Sequence, residues 1–262
     1  MHATLTRIIA FVSGSVGVGT TLTTVHLGMA LARMNKCVVE IDADVGEASL
    51  GSCMGVQDRF AADLFDVLDG RCSIRQALVR VERHVEIYIL RLTQNPPMDA
   101  VKTIDLMRVC DQLRGECDFI LIDSDAEVGY FDMMLALADE FVLVTVPDPA
   151  MLPAAKLIAA RLNTKRKPCW LIVNRSSLEL VKRRQLRSPY QLSDMLNIPL
   201  VGVIEEAEME PANDSMVSIH NEQQPLDKSC DDTARRLLGG ESKCLLTSGM
   251  GMVGVFGDDW LV

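Results

Sequence analysis

Short apolar runs of strand length recur along this chain: RIIAFV, VVEID, EIYIL, FILID, FVLVTV, CWLIV and PLVGVI. Each is separated from the next by a stretch able to form a helix. Strands buried on both faces read as continuous apolar runs, whereas half-exposed strands alternate with polar residues. The pattern therefore predicts an α/β domain, a mostly parallel twisted sheet flanked by helices on both faces. In such a sheet the loops at the carboxyl ends of the strands gather at one crevice. A chain of 262 residues, 48% hydrophobic and 24% charged, can bury a core of this kind within one domain. No repeat, low-complexity tract or linker divides it, and Asn95-Pro96-Pro97 reads as a loop.

The first β-α-β unit is the most legible. Arg7 to Ser13 reads as a strand, Thr20 to Met34 places Thr24, Leu27, Leu31 and Met34 on one helical face, and Lys36 and Cys37 lead into VVEID. Between strand and helix lies SGSVGVGTT, residues 13–21. A phosphate-binding loop of the form G-x-x-x-x-G-K-S/T works through four parts. Glycines let backbone N–H groups curl around phosphate oxygens, the following helix offers its N-terminal dipole, lysine adds charge, and a hydroxyl binds magnesium. Here Gly14, Gly19 and Thr21 hold their places, and Thr20 stands where the lysine belongs. Two acidic sites end later strands: Asp42 and Asp44 in EIDAD, and Asp123 and Asp125 in FILIDSD. One carboxylate at such a crevice can hold a magnesium water while another orients an attacking water.

The remaining composition bounds the setting. No apolar run approaches the roughly 20 residues that cross a bilayer, and the N-terminus lacks the order of a secretory signal, so a cytoplasmic protein is expected. Eight cysteines without a C-x-x-C pair read as reduced, mostly buried residues and not as a metal set. A net charge of −10 disfavours a general nucleic-acid binder. The basic cluster Lys182, Arg183, Arg184 and Arg187 is a local exception that reads as a solvated helix face or loop.

These segments, together with RFAADLFDVLDGRCSIRQALV, ADEFVLVTVPDP, WLIVNR and TARRLLG, resemble the MinD branch of the ParA/MinD deviant Walker ATPases over roughly residues 7–240. The resemblance implies a single P-loop NTPase domain over residues 1–240 and a separate tail at 241–262. It also implies ATP or ADP with Mg²⁺ as cofactors, a homodimer closed face to face around nucleotide, and peripheral attachment to the inner face of the membrane through a C-terminal amphipathic helix. Septum placement is the process served in this branch; other branches segregate DNA or set flagellar number. Carried over by position, Gly14, Ser15, Gly17, Val18, Gly19, Thr20 and Thr21 form the phosphate loop, with Thr21, Asp42 and Asp123 at the magnesium. Asp44 is the residue associated with hydrolytic water, and Asn174 and Arg175 lie at the adenine.

The departures from the family pattern concern the chemistry. The family loop reads approximately K-G-G-V-G-K-T; Ser15 replaces its first lysine, which reaches across the dimer, Thr20 replaces the second, and Val16 replaces a glycine. In the D-x-P-A-G turn, Asp125 stands for proline and Glu127 for glycine, and the segment after Asp44 reads GEASLG. Each hydrogen bond to a charged group contributes roughly 1.5 to 3 kcal/mol. Two lost lysine contacts then weaken nucleotide binding by about a hundredfold to ten-thousandfold. The tail KCLLTSGMGMVGVFGDDWLV keeps its hydrophobicity but carries four glycines, one base and Asp258-Asp259, a poor membrane anchor. A terminal segment packed on the domain or on a partner chain is the expected alternative. Two readings follow. The preferred one is a pseudo-ATPase that acts as a binding or regulatory partner of other proteins, a MinD-type paralogue among them. The other is an active ATP-dependent switch in which backbone amides, Mg²⁺ and a base such as Arg175 suffice.

Overall fold

The computed structural model describes residues 5–43, 49–81, 86–92, 103–124, 128–206 and 225–239. Asp44, Asn95-Pro96-Pro97, Asp125, Glu127, Cys244 and the tail at 241–262 lie outside them. In chain order the strands are β1 Arg7–Ser13, β2 Val38–Asp42, β3 Val79–Arg80, β4 Ile87–Arg91, β5 Phe119–Asp123, β6 Glu140–Thr145, β7 Cys169–Ser176 and β8 Leu200–Glu205. The helices are α1 Thr20–Arg33, α2 Leu50–Cys53, α3 Leu64–Leu68, α4 Ile74–Ala77, α5 Thr103–Leu113, α6 Val128–Leu137, α7 Leu152–Lys165, α8 Leu178–Lys182, α9 Pro189–Leu196 and α10 Pro225–Leu237.

Among the described residues the strands form one eight-stranded sheet in the order β3-β4-β2-β5-β1-β6-β7-β8. Every pairing is parallel except the edge pair of β3 with β4. The seven apolar runs of the sequence account for the other strands; β3 was not among them, because two residues carry no periodicity to read. Odd and even positions of the strands feed two cores. Ile8, Ala10, Val39, Ile41, Ile120 and Ile122 pack with residues of α5, α6, α7 and α9. Ile9, Phe11, Val38, Phe119 and Leu121 pack with α1, α2 and α10.

One helix differs from its expected shape. The sequence pattern gives α1 a single apolar face, yet Thr23 through Ala32 are all buried. Helix α10 explains this: Cys230, Ala234 and Leu237 join the α1 core from above, so α1 lies between sheet and helix. Arg33 of α1 pairs with Asp231 of α10 at 2.7 Å across that junction. The parallel order sets β1, with the glycine loop at its carboxyl end, between β5 and β6, and sets β2 on the far side of β5. The loop and both strand-end aspartates thus stand at adjacent strand ends.

Candidate functional site

The loop is built by backbone constraints that its residues satisfy. Gly14 ends β1 against the start of α7, where a Cβ would stand 2.4 Å from the Ala154 carbonyl carbon. Gly17 and Gly19 have φ of 79° and 89°, the left-handed region that side chains disfavour. Gly19 is also the N-cap of α1, which has no side-chain cap and no acidic residue in its first turn. Its N-terminal dipole is therefore left to an external anion. Ser15 is half-buried and its carbonyl accepts from Ser13 Oγ at 3.1 Å. Val16, at the tip, is 81% exposed. Val18 is buried, and its carbonyl accepts a hydrogen bond from Asn174 Nδ2 at 2.8 Å.

That last contact gives Asn174 a visible role. The side chain is wholly buried, and its Oδ1 accepts from the Arg175 N–H at 2.9 Å. The resemblance assigns Asn174 and Arg175 to the adenine; in this structure Asn174 braces the loop from the end of β7. Arg175 next to it is exposed and has φ of 50°.

Buried carboxyl groups gather on the strands beside the loop. Asp42 and Asp123 face each other in register on β2 and β5, and both are buried. Asp42 Oδ2 accepts from the Leu50 N–H at 3.0 Å, which ties α2 to the strand end. Thr24 Oγ1 lies 3.0 Å from the Thr20 carbonyl and 3.4 Å from Asp123 Oδ1. Two residues before Asp42, on the same face of β2, Glu40 is completely buried, and neither carboxyl oxygen has a hydrogen-bond partner among the described residues. Gly28 of α1 makes its space: a Cβ there would stand 1.9 Å from Glu40 Oε1. Burial above all, and then Asp123 and Asp42, push the Glu40 carboxyl well above its ordinary pKa. The same field acts on Cys53, whose thiol is pushed up to about 11 by burial and then by Asp123, Asp42 and Glu40.

The fit to a magnesium nucleotide is thus divided. The left-handed glycines and the uncapped α1 suit a phosphate, and a hydroxyl from Thr21 in the first turn of α1 with the carboxylates of Asp42 and Asp123 is a donor set of the kind that suits Mg²⁺. The side-chain charge does not fit. Ser15 and Thr20 hold the two lysine positions, and Thr20 is buried with only 6% exposure. Arg91, in register with Asp42 on β4, has its guanidinium 4.8 Å from the centre of the Phe60 ring.

Sequence reasoning set Gly14 to Thr21, Asp42 and Asp123 at one crevice; the structure places the loop and these two aspartates at adjacent strand ends, whereas Asp44, Asp125 and Glu127 fall outside the described residues. It missed Glu40, Gly28 and Thr24 as members of the site. The signal for Glu40 was present, a charge inside the apolar run VVEID.

Comparison with known proteins agrees with this architecture. Residues 6–165 match the AAA domain family. The septum site-determining protein MinD of Synechocystis sp. is 35% identical over 225 residues, covering 85% of this chain and 82% of that protein. The chain belongs to the MinD branch of the ParA/MinD P-loop NTPases. Among solved structures, the MinC:MinD cell division protein complex of Aquifex aeolicus superposes with a TM-score of 0.80 at 31% identity, covering 93% of this chain and all of that one. The MinD of Pyrococcus horikoshii, complexed with Mg-ADP, does so with a TM-score of 0.71 at 25% identity, over 90% of this chain and 98% of that one. Among the described residues of this MinD-type chain no helix is long and apolar enough to cross a membrane.

Proposed function

We propose that this chain is a MinD-type cell-division protein whose nucleotide site is impaired, and that it acts as a binding or regulatory partner of other division proteins instead of as an efficient ATPase. The single observation that carries this reading is the loop's charge. Ser15 and Thr20 fill both lysine positions, and the buried carboxyls of Asp42 and Asp123 stand at neighbouring strand ends. A phosphate chain brought to this loop meets backbone dipoles that attract it and carboxyl groups that do not. Division is the process to which the septum-site relatives and the MinC:MinD neighbour point. The same comparison supports a complex with a protein of the kind named in that neighbour, and a dimer of this chain is part of the proposed reading.

The chemistry left to such a site is weak binding. The N–H groups of the loop and of α1 hold an anion without lysine, while Thr21, Asp42 and Asp123 supply oxygen to a hard cation. Phosphoryl transfer needs positive charge that tracks the developing negative charge, and the loop's own side chains supply none. Restoring it is the test. The double variant Ser15→Lys, Thr20→Lys is expected to bind ATP in the presence of Mg²⁺ about a hundredfold or more tighter than the parent chain. Equal affinity of parent and variant contradicts the reading.

One observation favours the second reading, an active switch. Arg175 is exposed and joined through its backbone N–H to Asn174, which holds the loop. An arginine in that position can replace a lysine as a phosphate partner. If Arg175→Ala abolishes nucleotide binding by the parent chain, the switch reading replaces the first.

A further inference from the structure

A second cavity shares no residue with the phosphate loop. It encloses about 550 Å³ between the turn that follows β6 and the segment joining α8 to α9. Pro149, Val181 and Leu186 are its apolar lining, and Arg184, Gln185, Arg187 and Gln191 its polar lining. Neighbouring Arg183 is held by Glu179, one helical turn back. Neither Arg184 nor Arg187 has an ion-pair or hydrogen-bond partner for its side chain among the described residues, and both are exposed. The chain folds around Arg184 at a local cost. Its N–H donates to the Val181 carbonyl at 2.9 Å and the next N–H, that of Gln185, donates to the Leu180 carbonyl at 2.9 Å. This closes α8 with Arg184 at φ 58°, the left-handed position that glycine normally fills.

We propose that this cavity is a docking site for an acidic, apolar-containing peptide segment of a protein partner. Two unpaired guanidinium groups recognise carboxylates through forked, charge-assisted hydrogen bonds. The apolar lining of the same cavity suits the side chains that alternate with those carboxylates in an extended segment. The rest of the molecule selects against long polyanions. A net charge of −10 disfavours an extended nucleic acid, and among the described residues no aromatic one lines the cavity to stack a base. This inference goes beyond the proposed function and holds whether or not the loop binds nucleotide.

The test uses the full chain without nucleotide and a fluorescein-labelled peptide of about ten residues that alternates Glu and Leu, read by anisotropy. The variants are Arg184→Gly, Arg187→Ala and the pair together. Arg184→Gly removes the guanidinium while giving the helix end its preferred residue, so the thermal midpoint is expected to hold or rise and a loss of binding cannot be blamed on unfolding. The account expects saturable binding by the parent chain, weakened by about tenfold or more for each arginine removed and weakened also by added salt. A matching Lys-Leu peptide is expected not to bind. Absence of binding by the parent chain overturns the proposal, as does unchanged binding by the double variant. Tighter binding of a single-stranded oligonucleotide or of anionic vesicles, lost in the same variants, also overturns it and reassigns the patch.

Discussion

Glu40→Gln isolates the most unusual group in the site, a carboxyl wholly buried between β2 and α1 with neither oxygen hydrogen-bonded among the described residues. In the unfolded chain this glutamate titrates near about 4.3. In the folded chain, burial and then the Asp123 and Asp42 carboxylates raise its pKa well above that value. Between the two values the folded state holds a proton that the unfolded state has released. Stability from this group is therefore complete below the unfolded pKa and is lost as pH rises toward the folded one. The slope in that window is about 1.4 kcal/mol per pH unit. Glutamine is neutral throughout, so the stability difference between variant and parent should move in the variant's favour between about pH 5.5 and 6.5, by at most about 1.4 kcal/mol. The added amide donor carries its own cost of about 1 to 3 kcal/mol if it finds no partner, but that offset is independent of pH. Urea unfolding followed by far-ultraviolet circular dichroism at both pH values measures the difference directly. A difference that stays constant across the interval refutes the reasoning, because it means that Glu40 is ionised in the folded protein.

Other parts of the structure give equally direct expectations. Gly14→Ala should destabilise the fold by about 2 kcal/mol or more in urea unfolding, since the new methyl meets the Ala154 backbone at 2.4 Å and backbone cannot step aside. Asn174→Ala should cost about 1 to 3 kcal/mol by leaving the buried Val18 carbonyl without its donor; hydrogen exchange at residues 14–21 should quicken more than at β8, and uniform protection would contradict a bracing role. Glu140 behaves oppositely to Glu40. Burial pushes its carboxyl up, but the Arg7 guanidinium at 2.6 Å and the Trp170 N–H at 3.0 Å bring it below the ordinary value. Its contribution is present above the unfolded pKa and lost as pH falls through the folded one, so the cost of Glu140→Gln, about 2 kcal/mol at neutral pH, should shrink in acid.

The fold was legible because its signals are local. Arg7–Ser13, VVEID and FILID became strands with the bounds the apolar runs indicate, and the glycine loop fell between β1 and α1. What escaped depends on partners distant in sequence. Asn174 meets Val18 across 156 residues, and no property of either segment announces the contact. The all-round burial of α1 requires α10, whose placement over it comes from tertiary packing and not from the periodicity of α1. Glu40 was visible as a charge inside VVEID, but its burial follows from Gly28 on another element, where the missing Cβ makes the room. The lysine-free loop was fully legible as a pattern. Its environment was not: the sequence placed two acidic strand ends near it, and the structure adds Glu40, a buried carboxyl on the same face of the sheet as Asp42.

The most direct measurement is calorimetric titration of the purified chain with ATP and Mg²⁺ up to several millimolar, alongside the Ser15→Lys, Thr20→Lys variant. The account predicts little or no heat from the parent chain and a clear isotherm from the variant. Binding by the parent chain at about ten micromolar or tighter would contradict it, because backbone dipoles would then hold a nucleotide without the charge that Ser15 and Thr20 have removed.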